Sequence, residues 1–84
     1  MVIITIASPN GIIYKDKFED GMEFFCPEGA YKYFAWRLDG HHAEFEKKKG
    51  PYGVSVKDDR EKYVLYWKHC KDIGEIIQRL LRGF

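Results

Sequence analysis

Phe24-Phe25-Cys26-Pro27-Glu28-Gly29-Ala30-Tyr31-Lys32-Tyr33-Phe34-Ala35-Trp36-Arg37-Leu38-Asp39-Gly40 is the stretch around which the rest of the chain is organised. It holds six of the fourteen aromatic residues, opens on a Cys-Pro break and closes on Asp-Gly. Pro27 fixes its own φ and suits a first helical turn, where its missing N–H is not needed. Glu28 then places a negative charge at the positive end of the helix dipole. Ala30, Phe34 and Leu38 recur at four-residue spacing, with Tyr31 and Ala35 beside them and the Tyr33–Trp36 pair widening the stripe. The spacing predicts a helix over residues 28–39, with Phe34 at the centre of its buried face. Arg37 lies near its negative end, and Gly40 suits a left-handed cap.

Upstream, residues 2–7 are rich in β-branched side chains and end at Ser8-Pro9-Asn10-Gly11. Pro9 and Asn10 fit the central positions of a type I turn, and Gly11 supplies a positive φ after it. Residues 12–18 return as a second strand, so the chain opens with a hairpin. Met22 to Phe25 reads as a short strand leading into the helix. Downstream, residues 41–45 either prolong the helix past Gly40 or form a short strand. Lys47-Lys48-Lys49-Gly50-Pro51 is a solvated loop by composition. Tyr52, Val54 and Val56 alternate, and Asp58-Asp59 opens a turn. Residues 52–57 and 62–68 therefore form a second hairpin, a helix over the latter segment being the alternative. The alternation places Tyr63, Leu65 and Trp67 on one side and Val64 and Tyr66 on the other. A strand apolar on both faces is expected inside a sheet. At the end, Asp72 caps a helix with Glu75 three residues on, as in a capping box. Ile73, Ile76, Ile77, Leu80 and Leu81 keep helical spacing, Phe84 extends the stripe and Gly83 stops it.

The pattern gives one α+β domain over residues 1–84: two β-hairpins, a central helix, and a C-terminal helix packed on the sheet. Hydrophobic residues make up 45% and charged residues 32%, the balance of a folded globule rather than a disordered tail. A net charge of +1 argues against a dedicated duplex-DNA binder or a protein held on anionic membranes. The apolar start is too short to span a bilayer and lacks a basic signal region. With no secretion signal, Cys26 and Cys70 read as reduced thiols in a cytoplasmic protein.

Phe24-Phe25-Cys26-Pro27-Glu28-Gly29-Ala30-Tyr31, followed by Phe34-Ala35-Trp36-Arg37, resembles the signature of the membrane-associated progesterone receptor family. Those domains are cytochrome-b5-like and bind haem. The family's upstream Asn-Gly turn and Val-Tyr-Asp strand are similar to Asn10-Gly11-Ile12-Ile13-Tyr14-Lys15-Asp16, and Trp67 with Asp72-Ile73-Gly74-Glu75-Ile76 echoes its later half. Trp36 stands where the family has glycine, Phe25 replaces a usual tyrosine, and Asp39 falls one residue late. The resemblance implies a ligand-binding domain with haem as the first candidate or another small hydrophobic ligand. It makes Tyr31 the axial iron ligand, with Trp36 as the obstacle, since its bulk sits where the family keeps a glycine. The residues themselves offer His41, His42, His69 and Cys70 as further ligands and Phe24, Phe25, Phe34, Trp36 and Trp67 to line a slot, against the simpler reading of core aromatics. A phenolate ligand donates charge and favours ferric haem.

Other chemistry has weaker support. Cys26, His41, His42, His69 and Cys70 are enough in number for zinc, but none has the Cys-x-x-Cys or His-x-x-x-His spacing of recognisable sites. No phosphate loop, nucleophile elbow or metalloprotease motif is present, so the chain reads as a non-enzyme. Lys47-Lys48-Lys49 with Tyr52 and the aromatic segment 63–67 is the one arrangement suited to stacking nucleic-acid bases, against the simpler reading of a solvated loop and core aromatics. The alternative to a ligand-binding domain is a protein-interaction or inhibitor module without a cofactor, since Tyr and Trp on a small sheet suit interfaces. Small free-standing domains of that kind include virus-encoded inhibitors of host proteins.

Overall fold

The structure is a computed structural model and describes residues 1–60 and 62–82. The expected roles of Gly83 as a stop signal and Phe84 as part of the last apolar stripe fall outside the described residues. Strands β1 (Val2–Ser8), β2 (Gly11–Phe18), β3 (Tyr52–Lys57) and β4 (Tyr63–Cys70) form one antiparallel sheet in the order β2-β1-β3-β4. Helices α1 (Ala30–Asp39) and α3 (Ile73–Arg82) pack against each other and, with the short α2 (His42–Glu46), share the core of one sheet face. This is the α+β architecture that the alternation and the helical spacing predict. No helix among the described residues is long and apolar enough to cross a membrane.

The core lies between the helices and the inner face of the two central strands. Ile4 and Ile6 of β1, with Tyr52, Val54 and Val56 of β3, meet Phe34 and Leu38 of α1 and Ile73, Ile76 and Leu80 of α3. Phe34 has no exposed surface. Each large side chain fully removed from water contributes roughly 1.5–3 kcal/mol, which makes this layer the dominant stabilising term. Asp72 Oδ1 accepts the Glu75 N–H at 2.9 Å, and Glu75 Oε2 accepts the Lys71 N–H at 2.6 Å, satisfying donors at the start of α3. Arg79 reaches back from α3, its guanidinium 5.6 Å from the Trp67 ring centre. In the first hairpin, Gly11 has φ 127°, a conformation that glycine adopts without steric cost.

Local expectations fail at several places, each for a physical reason. Residues 22–24 form a 3-10 turn rather than a strand. The central helix starts at Ala30, because the chain turns at Gly29, the N-cap, with φ 103°. Gly40 is right-handed (φ −80°) instead of a left-handed cap, and the chain re-enters helix at His42, burying Phe45. β4 is an edge strand, not an inner one. Its register slips twice. Val56 pairs with Leu65 and Lys57 with Tyr63, so Val64 is an extra residue and Tyr63 turns to the face opposite Leu65. Val54 pairs with Trp67 and Tyr52 with Cys70, and the extra residue there brings Cys70 inward. His69, in this second bulge, has φ 63°, a region in which histidine is enriched among non-glycine residues.

Tyr52 is a buried brace. Its hydroxyl lies 2.9 Å from the Phe45 carbonyl and 2.7 Å from that of Lys48, holding the end of α2 against β3. A second brace ties α1 to β2: the Tyr14 hydroxyl donates to Asp16 Oδ2 (3.0 Å), which also accepts from Arg37 Nε (3.2 Å). Burial, and then the Asp16 carboxylate, push the Tyr14 phenol up to about 12.

Two measurements check this packing. A Cβ added at Gly50 would stand 2.9 Å from the Lys71 carbonyl oxygen, and backbone cannot swing aside as a side-chain tip can. Gly50→Ala should therefore cost about 1–3 kcal/mol in urea denaturation; an unchanged midpoint would mean that the two segments are farther apart. For Tyr14, the folded phenol keeps its proton where the unfolded one, with its ordinary value of 10.0, has lost it. Stability should fall as pH rises between 10 and about 12. Tyr14→Phe should flatten that fall in pH-dependent melting, leaving a residue from Tyr31 and Tyr52, which burial also raises. A slope identical to wild type would contradict the brace.

Candidate functional site

Helix α1 buries Phe34, Ala35 and Leu38, and with them the stripe that faces the sheet. Trp36, two residues beyond Phe34, stands about 200° around the helix axis at 100° per residue. It is 72% exposed, although indole is among the costliest side chains to leave in water. A groove of about 300 Å3 runs between α1 and α3 beside it, lined by Lys32, Ala35, Trp36, Asp39, Ile77 and Leu81. Ala35 and Ile77 supply its packed floor, and Trp36 and the exposed Leu81 stand at its rim. Lys32 and Asp39 carry opposite charges seven residues apart, roughly 10 Å along the helix. Asp39 Oδ1 also meets His42 Nε2 at 3.2 Å. Phe24 and Phe25, on the turn leading to α1, are both far out in solvent.

The residues singled out for a haem site are spread over different surroundings. Tyr31 is half-buried against the core, and burial raises its phenol, which disfavours the phenolate that iron ligation uses. Phe34 is sealed in the core, whereas Trp36 faces solvent and Phe25 is 88% exposed. A slot would need these three rings around one cavity, and they point in different directions. His69 is exposed, on the β4 bulge. Residues 62–68, which a cytochrome-b5-like chain would make helical, run as strand from Tyr63.

The remaining candidates are placed as follows. Cys26 and Cys70 are unbridged. Burial raises both thiols, Cys26 with a further contribution from Glu28, whose carboxylate is 3.5 Å away. Cys70 is in the core and His69 beside it is exposed, so the neighbouring pair does not act on a common substrate atom. His41 Nδ1 meets Glu44, and its ring packs edge-on against Tyr14. Among the described residues no three His, Cys, Asp or Glu side chains converge as metal ligands would. Tyr52, expected beside the lysine run as a stacking residue, is a core residue instead. The apolar period of α1 could not reveal Trp36 as a surface feature, because aromatic residues occupy both of its faces. Comparison of the chain with protein-family models, with curated proteins and with solved structures finds no match.

Proposed function

We propose that this chain is a protein-interaction module without enzymatic activity, docking its partner in the groove between α1 and α3. The observation that carries the reading is Trp36, 72% exposed on the rim of an apolar groove with Leu81 across from it. Tryptophan in such a position is the commonest energetic anchor of interfaces, and a groove between two helices accepts the apolar face of a third. The partner segment is accordingly an amphipathic helix. Its apolar side chains would cover Ala35 and Ile77, with an acidic group opposite Lys32 and a basic group opposite Asp39. The haem reading, which rests on the resemblance around Tyr31, has less geometric support, because its slot-forming rings do not face one another.

The test compares variants in affinity capture, followed by titration of the purified partner. A partner of this groove binds wild type and Lys57→Ala, whose change lies on the sheet, and is lost with Trp36→Ala and Leu81→Glu. Trp36→Ala should weaken it by about 2 kcal/mol or more, close to 30-fold. Capture of the same proteins by all four forms, or a partner indifferent to Trp36, would refute the groove as the docking surface.

A further inference from the structure

The outer face of the sheet carries a second surface that the groove does not use. Residues paired across antiparallel strands share a face, so the register assembles two rows. One runs Lys17, Ile3, Lys57, Tyr63; the next runs Lys15, Thr5, Ser55, Tyr66. Each row starts on a lysine at one sheet edge and ends on a tyrosine at the other, and none of these strand positions is acidic. At the tyrosine edge the side chains form a connected array. The Lys57 ammonium lies 4.8 Å from the Tyr63 ring centre, Tyr63 and Tyr66 are 5.8 Å apart edge to face, and the Lys68 ammonium lies 5.6 Å from Tyr66. Tyr63 is 61% and Tyr66 55% exposed.

A solvated sheet face needs polar residues, but it does not need two tyrosines on an edge strand or lysines without interspersed acids. Among the described residues, acids at one end of this face already have partners, and Asp58 accepts from the Arg60 and Lys62 N–H groups. Glu19 pairs with Lys17 at 2.9 Å, and Asp20 and Asp59 pair with the Met1 ammonium. The tri-lysine loop, residues 47–49, lies against the Ser8–Gly11 end of the first hairpin and adds positive charge there.

We propose that this sheet face binds single-stranded nucleic acid, its bases stacking on Tyr63 and Tyr66 and its phosphates held by Lys15, Lys57 and Lys68 and by Lys17, whose exposed pair with Glu19 a phosphate displaces. Stacking requires a strand whose bases are free of a duplex, and an open antiparallel sheet bearing aromatics is a platform suited to it. The lysines sit on flexible stems, so an ammonium that rests over a tyrosine ring is able to move to a phosphate when a base takes its place. Stacking does not discriminate among bases, so binding is sequence-tolerant.

Fluorescence anisotropy with labelled oligothymidylate and oligouridylate of about ten nucleotides tests this, at several salt concentrations and with inorganic polyphosphate as the base-free competitor. Saturable binding to either oligonucleotide is expected, with a log–log salt slope of about −3 for the four lysines, reduced by about 0.7 in Lys57→Ala. Tyr66→Ala should bind roughly 5- to 100-fold more weakly, and Tyr66→Phe, which keeps the ring, within about twofold of wild type. Circular dichroism melting of both variants separates loss of binding from loss of fold, and polyphosphate at equal charge should compete poorly. Three results would overturn the proposal: no binding of either oligonucleotide at low salt, a folded Tyr66→Ala with unchanged affinity, or full displacement by polyphosphate. The last would reduce the face to a general anion surface. Trp36→Ala should leave oligonucleotide binding intact, which keeps this test independent of the groove.

Discussion

The packing of both long helices on the sheet depends on one contact layer: Phe34 and Leu38 of α1 and Ile76 and Leu80 of α3, with Ile4, Ile6, Val54 and Val56 of the sheet. A domain of this size buries only about 60–65% of its unfolded surface, which suffices for a single core. Both long helices are consequently committed to the same side of the sheet. Two surfaces follow from that commitment. Among the described residues, no helix covers the sheet's other face, and the outer side of the helix pair carries the exposed Trp36 and Leu81. Cys70 sits in the core as a packing residue with a raised thiol.

Much of this layer was legible in the sequence because its signals are local. Pro9-Asn10-Gly11 encodes a turn whatever surrounds it. Asp72 with Glu75, followed by the isoleucine and leucine period, encodes a capped amphipathic helix. Alternation over residues 52–57 encodes a strand with one buried face. The misread features are those fixed by tertiary contacts. Whether β4 lies inside or at the edge depends on strand order, which periodicity does not carry. Its two bulges shift side chains by one residue, so Tyr63 joins Tyr66 instead of Leu65 and Trp67. Gly40 was expected to cap a helix, yet the chain resumes helix at once, because Phe45 finds cover over the Tyr52 ring.

The candidate sites were less legible, for related reasons. A wide aromatic stripe in α1 made Trp36 look like another core residue, and Phe25, Phe34 and Trp36, expected around one slot, lie in different surroundings. Net charge is equally silent on where the charges sit. A total of +1 conceals a division in which four lysines of three strands, Lys15, Lys17, Lys57 and Lys68, share the outer sheet face while Glu23, Glu28, Asp39, Glu44 and Glu46 lie on the segments between β2 and β3. Charge matters to binding through its distribution, and only the strand register discloses that distribution. The proposed apolar anchoring at the helices and the proposed ionic attraction at the sheet are physically separable, since salt weakens only the second.

The central claim is that the sheet is covered on one face and bare on the other. Hydroxyl-radical footprinting of the purified protein, read by mass spectrometry, tests it most directly. Tyr63, Tyr66 and Trp36 are expected to oxidise at rates approaching those of the unfolded chain, while Phe34, Phe45 and Tyr52 stay protected. Protection of Tyr63 and Tyr66 equal to that of Tyr52 would contradict the claim, since a covered outer face would mean a second layer on the sheet.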